Sequence, residues 1–91
     1  MQRVFEALAD PTRRDILRLL KKKGSLPVAK ILENFDKSGA FLSDHLTKLK
    51  KAELILAKRE RQKIIYSIRT SVLEDFTGFM MEFLEKGEKH E

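Results

Sequence analysis

Hydrophobic side chains recur at helical spacing from the first residues of the chain. Val4, Phe5 and Leu8 give the amino-terminal segment one apolar edge, which predicts a short helix. The Asp10-Pro11 pair then favours a second helix, because an Asp side chain accepts from the free amides of a first turn and Pro suits the first helical position. The buried stripe predicted for this second helix is Ile16, Leu17, Leu19 and Leu20.

Two further helices are predicted after Gly24, which ends the second helix behind three lysines. The third covers about residues 27–35, and its inward positions are Val28, Ile31, Leu32 and Phe35. The fourth begins at Ser38, a good N-cap. One side of this fourth helix is apolar through Leu42, Leu46 and Leu49. Its other side presents Phe41, Asp44, Thr47, Lys48 and Lys51.

After Glu53 the apolar spacing changes from helical to strand-like. Two β-rich runs flank the charged segment at residues 58–63 and predict a β-hairpin. From Ser71 the helical spacing returns with a broad stripe of Val72, Leu73, Phe76, Phe79, Met80, Phe83 and Leu84. This stripe is wider than packing in one small domain requires, which indicates that part of it contacts a second copy of the chain.

The 91 residues contain no repeat, low-complexity run or flexible linker, so we predict a single domain over residues 1–91. There is no cysteine, which excludes disulfides, thiolate metal sites and thiol redox sensing by the chain's own side chains. The amino terminus lacks the features of a signal peptide, and no apolar run is long enough to cross a bilayer. We therefore expect a soluble cytoplasmic protein with no membrane partner.

Charge is distributed unevenly along the chain. The net charge is +5, but residues 11–63 hold fifteen Lys and Arg against six Asp and Glu, whereas residues 70–91 hold two against six. A basic segment of this kind favours a polyanionic partner. Lysine-rich faces are often merely solvated, so charge alone does not distinguish the two cases.

The order of elements helps to distinguish a polyanion-binding surface from a solvated one. Four helices, a hairpin and a closing helix, with a basic fourth helix beside a basic hairpin, predict a mainly α winged helix-turn-helix fold. The helix-turn-helix would span residues 27–52 and the wing residues 54–68. An α-helix fits the major groove of B-DNA, and cationic side chains on helix and wing displace counterions from phosphates. Double-stranded DNA is therefore the predicted partner.

Three segments carry a resemblance to a known family. VFEALADPTRRDILRLL, SDHLTKLKKAELI and KRERQK followed by IIYSI resemble the ArsR family of bacterial winged-helix repressors nearly end to end. The most specific parts are residues 9–20 and an S-x-H-L-x-x-L-x-x-A pattern made by Ser43, His45, Leu46, Leu49 and Ala52. By its size and its opening segment, the chain is similar to the subgroup of small SdpR-like autorepressors.

The resemblance implies a cytoplasmic homodimer that binds an inverted-repeat operator and represses transcription. Its dimer interface would use residues 1–9 and 71–87. The interface residues expected there are Val4, Phe5, Leu8, Phe76, Phe79, Met80, Phe83 and Leu84.

The DNA-binding residues expected on this reading fall into three groups. Ser38, Gly39, Ala40, Phe41, Ser43, Asp44 and Lys48 line the reading helix, Arg59, Arg61 and Lys63 hold the wing to phosphate or minor groove, and Arg13 and Arg14 approach the backbone. Asp44 has two interpretations: it accepts from cytosine N4, or it is a local salt-bridge partner.

The chain departs from the family pattern at two turns. Glu53 and Arg61 stand where the family commonly has Gly, so a residue with a Cβ must make the left-handed turn after the fourth helix, and the geometry of the wing turn is open. Phe41 and Asp44 also stand where small or basic polar residues are usual.

Metal and enzyme sites are not expected. The two histidines are His45, where a structural or phosphate-contacting role is favoured, and His90 in a charged tail. A metal site at the dimer interface would have to combine His90 with Glu82 or Glu85, which is too few nitrogen or sulfur ligands for a closed site. There is no Gly-rich phosphate loop and no nucleophile with a base, since Ser43 and His45 point to different sides of a helix. We expect no metal, no cofactor and no catalytic residue.

Two alternatives stay open from sequence. One is a protein-interaction module that keeps the fold without specific DNA binding, favoured by the unusual Phe41 and Asp44. The other is a ligand-responsive sensor-repressor, for which the sequence names no effector.

Overall fold

The computed structural model describes residues 1–85. Its elements, in chain order, are α1 (Gln2–Leu8), α2 (Pro11–Lys23), β1 (Leu26–Pro27), α3 (Val28–Leu32), α4 (Gly39–Lys51), β2 (Ile55–Glu60), β3 (Lys63–Ile68) and α5 (Thr70–Leu84). This order confirms the predicted mainly α fold with a β-hairpin wing. Residues 86–87 of the expected dimerisation segment lie outside the described part of the chain.

The expected residues form the predicted helix starts and stops. Asp10 Oδ1 accepts from the amides of Thr12 at 2.8 Å and Arg13 at 3.2 Å. Ser38 Oγ accepts from the amide of Phe41 at 3.1 Å and so caps α4. Gly24, at φ 86°, ends α2 in a conformation that side chains disfavour.

The structure differs from the sequence prediction in the third helix and the sheet. α3 ends at Leu32 because the amide of Phe35 bonds the Leu32 carbonyl three residues back, in a tight turn that does not continue the helix. Just before it, β1 pairs antiparallel with β3 and extends the hairpin to three strands in the order β1-β3-β2. A two-residue strand has no periodicity to read, so the sequence did not predict it.

The hairpin strands extend further into the charged segment than predicted. The pairing runs from Ile55 opposite Ile68 to Glu60 opposite Lys63. Only Arg61 and Gln62 are left to form the turn. Backbone pairing does not depend on apolar side chains, and the outward residues of an edge strand can be charged.

One core holds the helices and the base of the wing together. Its largest fully buried side chains are Ile16, Leu20, Ile31, Leu42, Leu49, Leu54 and Ile55. α1 adds Val4 and Ala7 to this core, whereas α5 has no buried residue and packs through Val72, Leu73 and Phe76, which are partly buried. α5 thus keeps much of its apolar surface outside the core.

Candidate nucleic-acid interface

The core fixes which side of α4 faces solvent. Leu42, Leu46 and Leu49 are buried, as the apolar spacing predicted. The predicted reading residues Ser38, Gly39, Ala40, Phe41, Ser43, Asp44 and Lys48 are all exposed. α4 therefore presents a mainly polar face that begins with two small residues and ends with lysines.

Phe41 is the large apolar side chain on this face. It is 42% exposed. Its ring meets the His45 ring edge to face, with centroids 4.6 Å apart and planes at 75°. The Lys37 ammonium lies 5.6 Å from the centroid of the Phe41 ring, within the range of a cation–π contact. Phe41 is thus exposed but held in place by its neighbours.

Asp44 forms an ion pair on the same face. Its Oδ2 lies 3.2 Å from Lys48 Nζ, one helical turn further on, and both side chains are more than half exposed. The contact supports the salt-bridge interpretation of Asp44. An exposed pair at this spacing contributes only about 0.3–0.5 kcal/mol, so a base or phosphate in the groove can displace either partner.

The burial of Arg13 argues against its predicted role as a DNA contact. The residue is 9% exposed. Its Nε donates to the carbonyl of Ala7 at 2.7 Å and its Nη2 to that of Glu6 at 2.9 Å. These carbonyls belong to the last turn of α1, where the chain's own amides leave carbonyls unsatisfied, although the amide of Ala9 also bonds that of Glu6, at 3.3 Å. The guanidinium is therefore a structural cap that joins α1 to α2.

Arg14 shares this capping role. Its Nη1 donates to the carbonyl of Leu8 at 2.8 Å, and the side chain is half-buried. The adjacent arginines of the ADPTRR segment thus complete the carboxyl end of α1, where cations also offset the helix dipole. Arg14 stays only a prediction as a DNA contact.

His45 joins this cluster to α4. Arg13 Nη1 lies 3.0 Å from His45 Nδ1. Because a guanidinium only donates, Nδ1 accepts, and the ring proton lies on Nε2. Asp10 Oδ1 is 3.9 Å from the same nitrogen. His45 is 6% exposed, so of the two roles expected for it the structure supports the structural one.

The Asp10 carboxyl has a pKa below its ordinary value of 3.8. Burial acts to raise that pKa, but hydrogen bonds from the amides of Arg13 and Thr12, and the charge of the Arg13 guanidinium, outweigh it. The ionised form of Asp10 is therefore favoured in the folded chain.

The three wing cations predicted to contact DNA lie beyond α4. Arg59, Arg61 and Lys63 are all exposed. Glu60 stands directly opposite Lys63 in the β2–β3 register, so part of the charge of Lys63 is offset across the strands. Arg59 and Arg61 remain the stronger candidates for phosphate contacts.

A basic cleft lies between α1 and α4, and sequence reasoning missed it. Its volume is about 320 Å³, and its lining is Arg3, Glu6, Ala7, Arg13, Lys48 and Lys51. Lys51 could have been found from its position three residues after Lys48 on the outer face of α4. Arg3 had no such signal, because only the tertiary packing of α1 against α4 brings it there.

Comparisons with known proteins agree with this geometry. Residues 8–56 match the family described as a helix-turn-helix domain. The transcriptional repressor SdpR of Bacillus subtilis (strain 168) is 46% identical over 88 residues, which cover 97% of each chain. The chain belongs to the ArsR family of winged helix-turn-helix transcriptional repressors.

Solved structures show the same architecture as this ArsR-family chain. The homodimeric winged helix-turn-helix DNA-binding domain of Mb0332 from Mycobacterium bovis aligns with a TM-score of 0.73 and 31% identity, over 99% of this chain and 83% of that one. The ArsR family regulator RHA00566 aligns with a TM-score of 0.85 over 99% of this chain and 92% of that one. At 24% identity, this second likeness shows the fold.

At both turns where the ArsR-family chain lacks the glycine that is common in the family, the residue present adopts the left-handed conformation. Glu53 has φ 60° and Arg61 has φ 59°. After α4, the amide of Glu53 bonds the Lys50 carbonyl at 2.9 Å and that of Leu54 bonds the Leu49 carbonyl at 3.0 Å, which is a Schellman ending. The expected strain at Glu53 is therefore confirmed as a positive φ, and the wing turn carries a second one at Arg61.

Most of the large exposed apolar side chains in the described part of the ArsR-family chain lie on α1 and α5. Phe5 packs edge to face on Phe76 and Phe79 at 5.3 and 5.6 Å between centroids, and Phe79 continues to Phe83 at 5.2 Å. We call this the terminal-helix surface; it consists of Phe5, Leu8, Phe76, Phe79, Met80, Phe83 and Leu84. Val4 is excluded from it, because it is 6% exposed and packs inside its own protomer.

Within residues 1–85 no group of three or more His, Asp and Glu side chains is placed to hold a metal ion. His90 lies outside the described residues. None of the helices described has the length and apolar character needed to cross a membrane.

Proposed function

We propose that this chain represses transcription as a cytoplasmic homodimer that binds an inverted-repeat operator without a metal cofactor. The observation that carries the proposal is the exposed face of α4, which the core orients outward beside two other cationic surfaces, the wing and the basic cleft. A helix with such a face fits the major groove, and the flanking cations match the phosphate backbone on either side.

The three surfaces would contact different parts of the DNA. The exposed residues from Ser38 to Lys48 would meet base edges, since the first turns of a reading helix lie deepest in the groove. Arg59 and Arg61 on the wing, with Lys63, would hold phosphates or the minor groove. Arg3 and Lys51 join this set as phosphate contacts, because they line the cleft beside Lys48.

The terminal-helix surface supports the homodimer. Phe83 and Leu84 are 70% and 74% exposed in the single chain, an exposure that water disfavours. The M. bovis relative, which shares the architecture, is a homodimer. Pairing through this surface would place two α4 helices about one DNA turn apart, the spacing an inverted repeat requires.

A second candidate is favoured by one observation. Phe41 exposes an aromatic ring in the middle of a polar face, which is typical of protein-binding surfaces. The chain would then be a winged-helix interaction module without a specific DNA site.

A binding experiment separates the two candidates. Duplexes selected from a random pool, and the region upstream of the chain's own gene, are titrated with protein at several salt concentrations. We expect nanomolar affinity that resists competitor DNA and falls steeply with salt. Equal weak affinity for every duplex would contradict the repressor and support the interaction module.

Arg61→Ala tests the role of the wing in the same assay. Losing one phosphate contact per protomer should reduce the salt slope, which is the slope of the logarithm of the binding constant against the logarithm of the salt concentration, by about 2 for the dimer. The loss should weaken binding to all duplexes alike. Lys22→Ala is the matched control, since Lys22 is an exposed cation at the end of α2 and lines neither the cleft nor the wing. A slope unchanged in Arg61→Ala would remove the wing from the interface.

A further inference from the structure

Phe41 occupies a position suited to reading bases. It is the third residue of α4, in the turn that a reading helix places nearest the base edges. Gly39 and Ala40 precede it and leave room for DNA to approach, because glycine has no side chain and alanine has only a methyl group. The exposed part of the ring has no polar atom, so it cannot donate or accept a hydrogen bond.

The ring of Phe41 is positioned by a chain of contacts that begins at the backbone. The carbonyls of Glu6 and Ala7 fix the Arg13 guanidinium, and Arg13 in turn donates to His45 Nδ1. The His45 ring then meets Phe41 edge to face. Because these contacts hold the ring before DNA arrives, little side-chain freedom is lost on binding.

The chemistry of the groove selects the partner of such a ring. Most positions on the base edges of the major groove are hydrogen-bond donors or acceptors, and the apolar group among them is the 5-methyl of thymine. We propose that Phe41 reads a thymine methyl in each operator half-site, and that Arg13 and His45 are the positioning residues for this contact. The inference rests on the proposed function and names one feature of its operator.

The experiment removes the methyl from the DNA. In a selected operator, each thymine is replaced in turn by deoxyuridine, which keeps base pairing and deletes only the methyl group. We expect one thymine per half-site at which this change weakens wild-type binding about fourfold, and about fifteenfold when both half-sites are changed. Other thymines should show no change.

Variants of Phe41 link this effect to the ring. Phe41→Ala should bind the thymine and deoxyuridine operators equally, whereas Phe41→Tyr, which keeps the ring, should retain most of the difference. Since Phe41 is exposed, both variants are expected to fold, and far-UV circular dichroism checks this. A full methyl effect in Phe41→Ala would overturn the proposal.

His45→Gln tests the positioning role. Its side-chain oxygen still accepts from Arg13, but the ring that holds Phe41 is lost. We expect the ratio of thymine to deoxyuridine affinity to fall about twofold while the salt slope is unchanged. A purely structural role would lower stability and leave this ratio intact, which would overturn the assignment of His45.

Failure of the inference is distinguishable from failure of the proposed function. If no duplex binds with salt-sensitive specificity, the proposed function fails and the inference falls with it. If an operator binds tightly and every deoxyuridine replacement is neutral, the repressor stands and the reading of thymine by Phe41 is wrong.

Discussion

The Asp10 carboxylate has two structural roles at the start of α2. It satisfies two amides of the first turn, and it lies near the Arg13–His45 contact that joins α1, α2 and α4. The carboxylate therefore acts as a local N-cap and also places a negative charge next to the buried cluster. Its lowered pKa is the measurable sign of this position.

Replacing Asp10 should produce a stability change that depends on pH. Asp10→Ala removes the cap and should lower the free energy of unfolding by about 1 kcal/mol at pH 7. Asp10→Asn keeps an acceptor without the charge. Since the folded pKa lies below 3.8, the charge contributes fully above that value and is lost as pH falls through the folded pKa.

Urea unfolding of the three proteins between pH 7 and pH 2 measures this prediction. The stability difference between wild type and Asp10→Asn should narrow below about pH 4. A difference that stays constant down to pH 2 would show that the charge of Asp10 does not stabilise the fold.

At the scale of elements, the end of α4 controls where the wing begins. The Schellman ending turns the chain at Glu53, so that Leu54 and Ile55 enter the core at the base of β2. The amide of Arg69 closes the other side of the wing by bonding the Leu54 carbonyl at 2.9 Å. The reading helix and the wing are thus held at a fixed mutual orientation.

Glu53→Gly should stabilise the protein. A left-handed residue with a Cβ costs about 1–2 kcal/mol, and the extra freedom of Gly in the unfolded chain offsets about 0.5–1 kcal/mol of the relief. The free energy of unfolding should therefore rise by about 0.5–1 kcal/mol. Chemical denaturation measures it, with Glu53→Ala as the control that removes the carboxylate but keeps the Cβ.

The control decides the cause. If Glu53→Ala stabilises as much as Glu53→Gly, the gain comes from removing an acid and the backbone explanation is wrong. If neither variant gains stability, the positive φ at Glu53 carries no net strain.

At the scale of the whole molecule, the basic middle of the chain and the acidic closing helix present different surfaces. α4, the wing and the cleft carry cations, whereas α5 carries an exposed apolar stripe in the acidic part of the chain. A dimer formed through α5 would keep its negative charge away from DNA. This separation of charge supports pairing through α1 and α5 with both reading helices free.

Phe83→Asp should disrupt the dimer and leave the protomer folded. Phe83 is 70% exposed, so it contributes little to its own core. Removing two such side chains from an interface should raise the dimer dissociation constant by at least about 100-fold. Sedimentation velocity measures the shift, and operator binding should weaken with it.

Leu56→Asp is the matched control for this prediction. Leu56 is 40% exposed, but it lies on β2 of the wing rather than on the terminal-helix surface. It should leave the dimer intact. A Phe83→Asp protein that sediments as a dimer would place the interface elsewhere.

The sequence by itself determined the elements that depend on local chemistry. Helical spacing of leucines, the Ser38 and Asp10 caps and the stop at Gly24 act over a few residues, so α2 and α4 could be predicted almost to the residue. The outward face of α4 followed from the same spacing. The left-handed turn at Glu53 was anticipated because the helix ending there has few backbone solutions, whereas the left-handed turn at Arg61 was not, since the sequence left the geometry of the wing turn open.

Tertiary structure alone decided which cations face solvent and which apolar residues lie outside the core. Arg13 and Arg14 look alike in sequence and both donate to carbonyls at the end of α1, yet only Arg13 is buried, because its guanidinium also contacts His45 of α4. Val4 and Phe5 are neighbours, but only Val4 faces the core. β1 and the basic cleft depend on segments far apart in the chain, and no local pattern records such contacts.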